Sequence, residues 1–241
     1  MIDILFDWMT EVCIKFKFQN ETFFMAINIV YRYLTLYQCT REKLQLLGVT
    51  ALFSAAKYEE IYPPQIKEYL SLCEHTYLKV EMVNIEAKIV CALNFKLAIP
   101  TSLHFLGWYS HLAGLSKKEH YFACLVLEMA ICYPTIALKY KDSKKAAAGL
   151  YLTNKIFSRS PEWPPNLSDA TELSLQDVQP CAKDMFVMLY NSYGQDLDQA
   201  NQQSSSQKKP NFSALKLKYS SSRFYEVGRF RFDWKPDQLS S

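Results

Sequence analysis

Gly48-Val49-Thr50-Ala51-Leu52-Phe53-Ser54-Ala55-Ala56-Lys57-Tyr58-Glu59-Glu60-Ile61-Tyr62-Pro63-Pro64 is the stretch whose reading decides the fold. Gly48, Ala51 and Ala55 recur at helical spacing and leave one face nearly bare, so other helix backbones can approach closely. Leu52, Phe53 and Ala56 cover much of the remaining circumference, which predicts a helix buried on most sides. The character then changes. Lys57, Glu59 and Glu60 arrive together, and Pro63-Pro64 stop the helix. A central helix is therefore predicted to end in a charged tip framed by Tyr58 and Tyr62. Taken alone, such a tip reads as a solvated helix end.

Working outward, the 241 residues suffice for two small cores rather than one large one. Hydrophobic residues make up 49% of the chain, a globular rather than a disordered composition. Scarce glycine and weak Val/Ile/Thr alternation predict an all-α protein. A net charge of +3 is too small and dispersed to predict nucleic-acid binding. Cys13, Cys39, Cys73, Cys91, Cys124, Cys132 and Cys181 form no C-x-x-C pair, so no metal site is expected. An odd count without a signal peptide reads as reduced thiols in a cytosolic or nuclear protein. There is no run of about 20 apolar residues, so no membrane span is predicted.

Ahead of the central helix, residues 1–18 form a helix with two apolar stripes. One is Met1, Ile4, Leu5, Trp8 and Val12; the other is Phe6, Met9, Cys13 and Phe16. Either both are buried, or one is partly exposed and offers a docking surface. Asn20 is a candidate N-cap for a helix to about Tyr37, and Thr40 for the central helix from Arg41. Pro63-Pro64 would start a short helix to about Cys73. A fifth helix, about Leu78 to Leu93, points Met82, Ile85, Ile89 and Leu93 inward. Residues 94–100 read as an extended linker.

The pattern then restarts. Helices are predicted from Thr101 or Ser102 to Leu112, Lys117 to Cys132, Lys144 to Phe157 and Leu173 to Tyr193. Ala146-Ala147-Ala148-Gly149 makes a second small-residue helix, which suggests a structural repeat. Residues 199–210 form a polar linker, and periodicity does not place residues 212–241. No catalytic constellation is found: there is no Gly-rich phosphate loop, H-E-x-x-H or G-x-S-x-G. His75, His104, His111 and His120 lack ligand spacing. Glu59 and Glu60 are sequential and diverge on a helix. The sequence offers binding rather than catalysis, with no cofactor.

Several motifs together carry a family resemblance. Met1-Ile2-Asp3-Ile4-Leu5-Phe6-Asp7-Trp8 resembles the opening of the cyclin box of A- and B-type cyclins. Lys43-Leu44-Gln45-Leu46, Ala56 to Pro64, and Leu93-Asn94-Phe95-Lys96-Leu97 followed by Pro100-Thr101 resemble the same box in order. Leu103-His104-Phe105-Leu106 is closer to B-type cyclins. Leu138-Lys139-Tyr140 and Lys218-Tyr219-Ser220-Ser221 extend the likeness over nearly the whole chain. The resemblance implies tandem five-helix domains: a cyclin box over residues 1–98, a second cyclin-fold domain over 99–198, and a linker and tail over 199–241.

It further implies a non-catalytic regulatory subunit, forming a heterodimer with a cyclin-dependent protein kinase in mitotic control. In the family the cyclin turns the kinase helix bearing the catalytic-site glutamate inward, restoring its Lys–Glu pair. By matching position, Lys57 is the donor to kinase backbone carbonyls and Glu86 its acidic companion. Tyr58, Glu59, Glu60 and Ile61 line the same surface, with Phe95 and Leu97 as apolar contacts. Met1, Ile4, Leu5 and Trp8, with Leu44, Gln45 and Leu72, resemble the patch that receives Arg-x-Leu motifs of substrates or inhibitors. Glu11 would meet the basic residue of that motif. Neither nucleic acid nor membrane is an expected partner, and the nucleus and cytoplasm are the expected locations.

Three departures stand out. Many family members have Arg where Ile2 stands and Asp where Tyr31 stands, a buried ion pair. Here both charges are absent together, which can be neutral or stabilising. The sequence begins at the box itself, so the family's preceding helix lies outside it, implying a truncated chain or reduced kinase affinity. No N-terminal destruction box is present; Arg41-Glu42-Lys43-Leu44 fits R-x-x-L but falls in a predicted helix and reads as structural. Two alternatives stay open: a cyclin-fold transcription adaptor, and a degenerate cyclin that does not activate a kinase.

Overall fold

The bare face of the central segment is used for close helix packing. In the computed structural model, which describes residues 1–193 and 212–230, α3 spans Arg41–Glu59 and is buried from Leu46 through Leu52. Around it lie α1 (Ile2–Phe16), α2 (Asn20–Leu36), α4 (Ile66–Leu72) and α5 (Lys79–Ala92), each packed against it. Gly48 admits α1 at close range: a Cβ there would lie 2.8 Å from Leu5 Cδ1 and 3.1 Å from Met9 Sδ. Gly48→Val is therefore expected to cost about 1–3 kcal/mol by overpacking. Urea unfolding would show it, and an unchanged midpoint would refute the tight α1–α3 contact.

The two stripes of α1 divide unequally. Phe6, Met9 and Cys13 are buried, and Phe16 is half-buried against the Tyr69 ring. In the other stripe, Leu5 and Val12 are buried while Met1 and Ile4 stay exposed. The Tyr31 ring meets Phe6 edge-on at 5.3 Å, so aromatic packing occupies the region where many relatives carry an ion pair. On α5, Met82 and Ile89 are buried and Ile85 half-buried; Leu93 is buried just beyond the helix end.

The second unit, Pro100–Ser241, repeats this plan. Its helices are α6 (Ser102–Leu112), α7 (Lys117–Cys132), the one-turn α8 (Pro134–Ala137), α9 (Asp142–Ile156), α10 (Pro165–Thr171) and α11 (Leu175–Tyr193). The small-residue helix α9 is central, buried from Lys145 to Lys155 and packed on α6, α7 and α11. Apart from the one-turn α8, the described helices over residues 100–193 make a second set of five. Among the described residues there is no strand, and the fold is all-α with two five-helix units in tandem.

The C-terminal segment completes this unit. Helix α12 (Ser213–Tyr219) and two 3-10 turns (Ser222–Phe224, Val227–Arg229) pack on α7. Glu128 of α7 is fully buried; Lys218 Nζ donates to both of its oxygens at 2.9 Å, and the Tyr219 hydroxyl donates to Oε1 at 2.6 Å. The predicted linker over residues 199–210 lies outside the described residues.

Three local expectations are corrected, and one, the position of Thr40 at the N-cap of α3, holds. Asn20 is the first helical residue of α2, not its cap: the Glu60 carboxylate accepts the Gln19 N–H at 2.8 Å and the Thr22 hydroxyl, so the cap comes from the end of α3. Thr40 holds the N-cap position of α3 with no side-chain cap bond. Pro63-Pro64 stay non-helical, and α4 starts at Ile66, where the Gln65 N–H bonds the Glu68 carboxylate at 2.6 Å. Asn94 and Phe95 are not extended; both take the left-handed conformation (φ 50 and 60), with the Phe95 N–H bonded to the Val90 carbonyl at 2.9 Å.

Candidate functional site

The charged tip of α3 faces a groove of about 510 Å3 on the first unit. Lys57 sits on the last turn of α3, and Glu86 projects from the middle of α5. Their Nζ and Oε1 atoms are 2.5 Å apart. The Ser54 hydroxyl, one turn before Lys57, donates to the same Glu86 oxygen at 3.0 Å. Lys57 Nζ also lies 4.3 Å from the centre of the Phe53 ring. Phe53 in turn meets the buried Tyr69 edge-on at 5.3 Å. The cation is thus held from two sides while 44% of its side chain remains exposed. A surface pair of this kind adds only about 0–1 kcal/mol to stability. Its preorganised placement concerns what meets it from outside.

Tyr58, Phe95 and Leu97 line the same groove as Lys57 and Glu86. Phe95 is 78% exposed, on two successive left-handed residues. A bulky residue in that region is strained, and such strain persists where the surrounding structure imposes it. Here the turn after α5 holds an apolar ring out in solvent. Leu97 is half-buried, and its carbonyl lies 3.4 Å from Arg32 Nη1.

The remaining tip residues do not line the groove. Glu60 is committed to the α2 N-terminus, and Glu59 is half-buried and engaged within the fold. Ile61 and Tyr62 are 86% and 91% exposed beyond the end of α3. Sequence reasoning missed Ser54 and the α5 wall made by Val83, Ala87, Val90 and Cys91. The signal was present: Val83, Glu86, Ala87 and Val90 recur at i, i+3, i+4 and i+7, on the face next to the inward residues of α5.

A second groove, of about 300 Å3, lies between α1 and α3. Met1, Ile4, Leu5 and Trp8 form one wall; Leu44, Gln45 and Arg41 form the other. The Tyr77 hydroxyl donates to the Glu42 carbonyl at 3.0 Å and lies 3.4 Å from the Gln45 amide oxygen. Leu72, half-buried on α4, does not line the groove, nor does the exposed Glu11. Arg41 was not singled out as a site residue because it looked like part of a helix start. Arg41 and Leu44, three residues apart, lie on one helical face, with Gln45 beside them.

Among the described residues no cluster of His, Cys, Asp or Glu could hold a metal ion, and no helix is long and apolar enough to cross a membrane. None of the seven cysteines is in a disulfide.

Comparison with known proteins gives two domain matches. Residues 1–98 match the cyclin N-terminal domain, and residues 100–231 match the cyclin C-terminal domain. The chain is 33% identical over 228 residues to the G2/mitotic-specific cyclin-B of Marthasterias glacialis, covering 94% of this chain and 54% of that protein. It is 36% identical over 182 residues to cyclin-A1 of Mus musculus, covering 76% and 43%. It spans about half the length of the curated relatives it matches. Among solved structures, a viral cyclin from herpesvirus saimiri shares the fold with a TM-score of 0.67 at 23% identity, over 78% of this chain and 86% of that one. A chain of the yeast RNA Pol II CTD kinase CTDK-1 complex does so with a TM-score of 0.66 at 16% identity, over 99% and 79%.

Proposed function

The chain belongs to the cyclin family, and from that membership we propose that it is the regulatory subunit of a cyclin-dependent Ser/Thr protein kinase. The observation that carries this reading is the convergence of Lys57, Glu86, Tyr58, Phe95 and Leu97 on one open groove. A helix laid in that groove would meet apolar surface from α5 and Phe95 and a fixed cation at one end. Lys57 would donate to carbonyls exposed at a helix C-terminus, where the helix dipole favours a positive charge. The kinase helix carrying the catalytic-site glutamate is the intended occupant. By binding its inward position better than its displaced one, the subunit shifts the kinase toward the active arrangement. In this reading the kinase supplies the catalytic groups and this chain is the regulatory partner. Its relatives named G2/mitotic-specific cyclin-B support a role in mitosis; the nucleus and cytoplasm are the proposed locations.

The test is a histone-type assay with a purified monomeric cyclin-dependent kinase. Phosphotransfer should rise well above that of the kinase alone when this chain is added. No rise, with the added protein folded by circular dichroism, would overturn the reading. A pull-down with the same kinase would then separate a subunit that binds without activating from a cyclin-fold adaptor that does not bind.

The groove between α1 and α3 is proposed to recruit substrates or inhibitors bearing an Arg-x-Leu motif. Its apolar walls would take the leucine, with the Gln45 amide beside it as a polar contact. Ile4 is 73% exposed, so truncating it costs the fold little. Ile4→Ala should weaken binding of an Arg-x-Leu peptide about tenfold by removing buried apolar area in the complex. Isothermal titration would report this, and an unchanged Kd would place peptide docking elsewhere.

A further inference from the structure

Glu86 is shared by two donors of unequal freedom. Its Oε1 lies 2.5 Å from Lys57 Nζ and accepts the Ser54 hydroxyl at 3.0 Å. The side chain of Glu86 is only 18% exposed and Ser54 is 3% exposed, whereas Lys57 keeps 44% of its side chain in water. The lysine can therefore be reached from outside, and the serine cannot. The Ser54 hydroxyl also points differently from other buried hydroxyls of the fold. Thr10, Thr50, Thr153 and Ser192, all buried in helices, donate to the carbonyl four residues before them. Ser54 stands one turn after Thr50 on α3 and donates across to α5 instead. A hydroxyl has one proton to give, and here it goes to a carboxylate, where the bond is charge-assisted.

The consequence appears when the groove is covered. A helix docked there expels water from Glu86 and Lys57 together, and Lys57 turns part of its donor capacity to the carbonyls of the incoming helix. The carboxylate then depends on donors that the chain itself provides. The other α5 residues lining the groove, Val83, Ala87, Val90 and Cys91, offer no strong donor. Ser54 is the donor that docking does not draw on, because its side chain is already buried in the free chain. Without its hydroxyl, Glu86 would hold Lys57 back from the kinase or be left short of a partner away from water. Either raises the free energy of the complex. In the free chain the same loss is small, since Lys57 and water still serve the carboxylate.

We propose that Ser54 is a positioning residue for kinase docking: its hydroxyl keeps Glu86 partnered while Lys57 passes to the kinase helix. Ser54 acts through Glu86. The proposal deepens the reading of this groove as the kinase contact and rests on it. A serine that only fills space on α3 would leave a different pattern. The loss on its removal would then follow from packing and would not depend on the charge carried at position 86.

The test is isothermal titration of a purified monomeric cyclin-dependent kinase with four chains: the parent, Ser54→Ala, Glu86→Gln and the double variant. Ser54→Ala should raise Kd about tenfold in the parent. In the Glu86→Gln background the same change should alter Kd about twofold or less, since a neutral amide loses a donor at smaller cost. Ser54→Cys, close in size but a weak donor, should bind like Ser54→Ala. Both single variants at Ser54 should melt within a few degrees of the parent. An unchanged Kd for Ser54→Ala, an equal loss in both backgrounds, or parental binding by Ser54→Cys overturns the proposal and leaves the kinase reading standing. So does a Tm lowered by about 10 °C or more in both Ser54 variants, which would mark a structural residue. A folded parent chain that does not bind the kinase overturns that reading, and the proposal with it.

Discussion

Lys57→Glu is expected to lower kinase activation by about 100-fold, as when one partner of a desolvated, hydrogen-bonded charge is lost at an interface. The substitution acts twice. It removes the donor proposed for the kinase helix, and it sets a second carboxylate beside Glu86, whose Oε1 now lies 2.5 Å from the ammonium. The isolated chain should tolerate this well, because a half-exposed ion pair adds little to folding. Activation should therefore collapse while the thermal midpoint moves by only a few degrees. The swap Lys57→Glu/Glu86→Lys sharpens the test. It restores an internal pair but moves the cation from α3 to α5, so stability should recover and activation should not. A titration of kinase activity with each variant checks both, and parental activation by Lys57→Glu would dismiss the groove as the kinase contact.

The largest loss of stability is predicted for Lys218→Met. Glu128 has no solvent exposure, and its oxygens are served by Lys218 and Tyr219. Taking away the lysine leaves a buried carboxylate with one hydroxyl donor, at a cost of about 3–5 kcal/mol. For a domain of this size that corresponds to a fall in Tm of roughly 10 °C. Removing all three polar groups together, as Glu128→Met/Lys218→Met/Tyr219→Phe, should recover most of the loss, since the desolvation penalty goes with the pair. Thermal unfolding of the single and triple variants distinguishes this lock from ordinary packing. A single variant that melts with the parent would mean that α12 does not seal Glu128 from water.

The second unit shows what a local pattern cannot carry. Glu128 stands in the apolar run Leu125-Val126-Leu127-Glu128-Met129-Ala130, where it reads as an interruption. Its partners are 90 and 91 residues away, beyond any helical period. Lys218-Tyr219 could be quoted as part of a family motif, yet the motif does not say what the lysine meets. His111, His120 and Arg223 are likewise scattered in sequence, and the return of the C-terminal segment onto α7 gathers them around one pocket.

By itself the sequence determined the helical class, the central position of α3, the restart near Pro100, and a charged tip bearing Lys57. These rest on residue size and period: Gly48, Ala51 and Ala55 permit close approach wherever they recur on one face, whatever the partner. The tertiary structure alone decided which side chains complete each site. It turned Glu60 inward as the cap of α2 and drew Ser54 and Glu86 together across 32 residues. It brought Arg41 rather than Glu11 to the wall of the second groove, and held Phe95 outward on a left-handed turn. Contacts of this kind depend on the relative rotation of whole helices about their axes. That rotation is set by how all the packed faces fit at once.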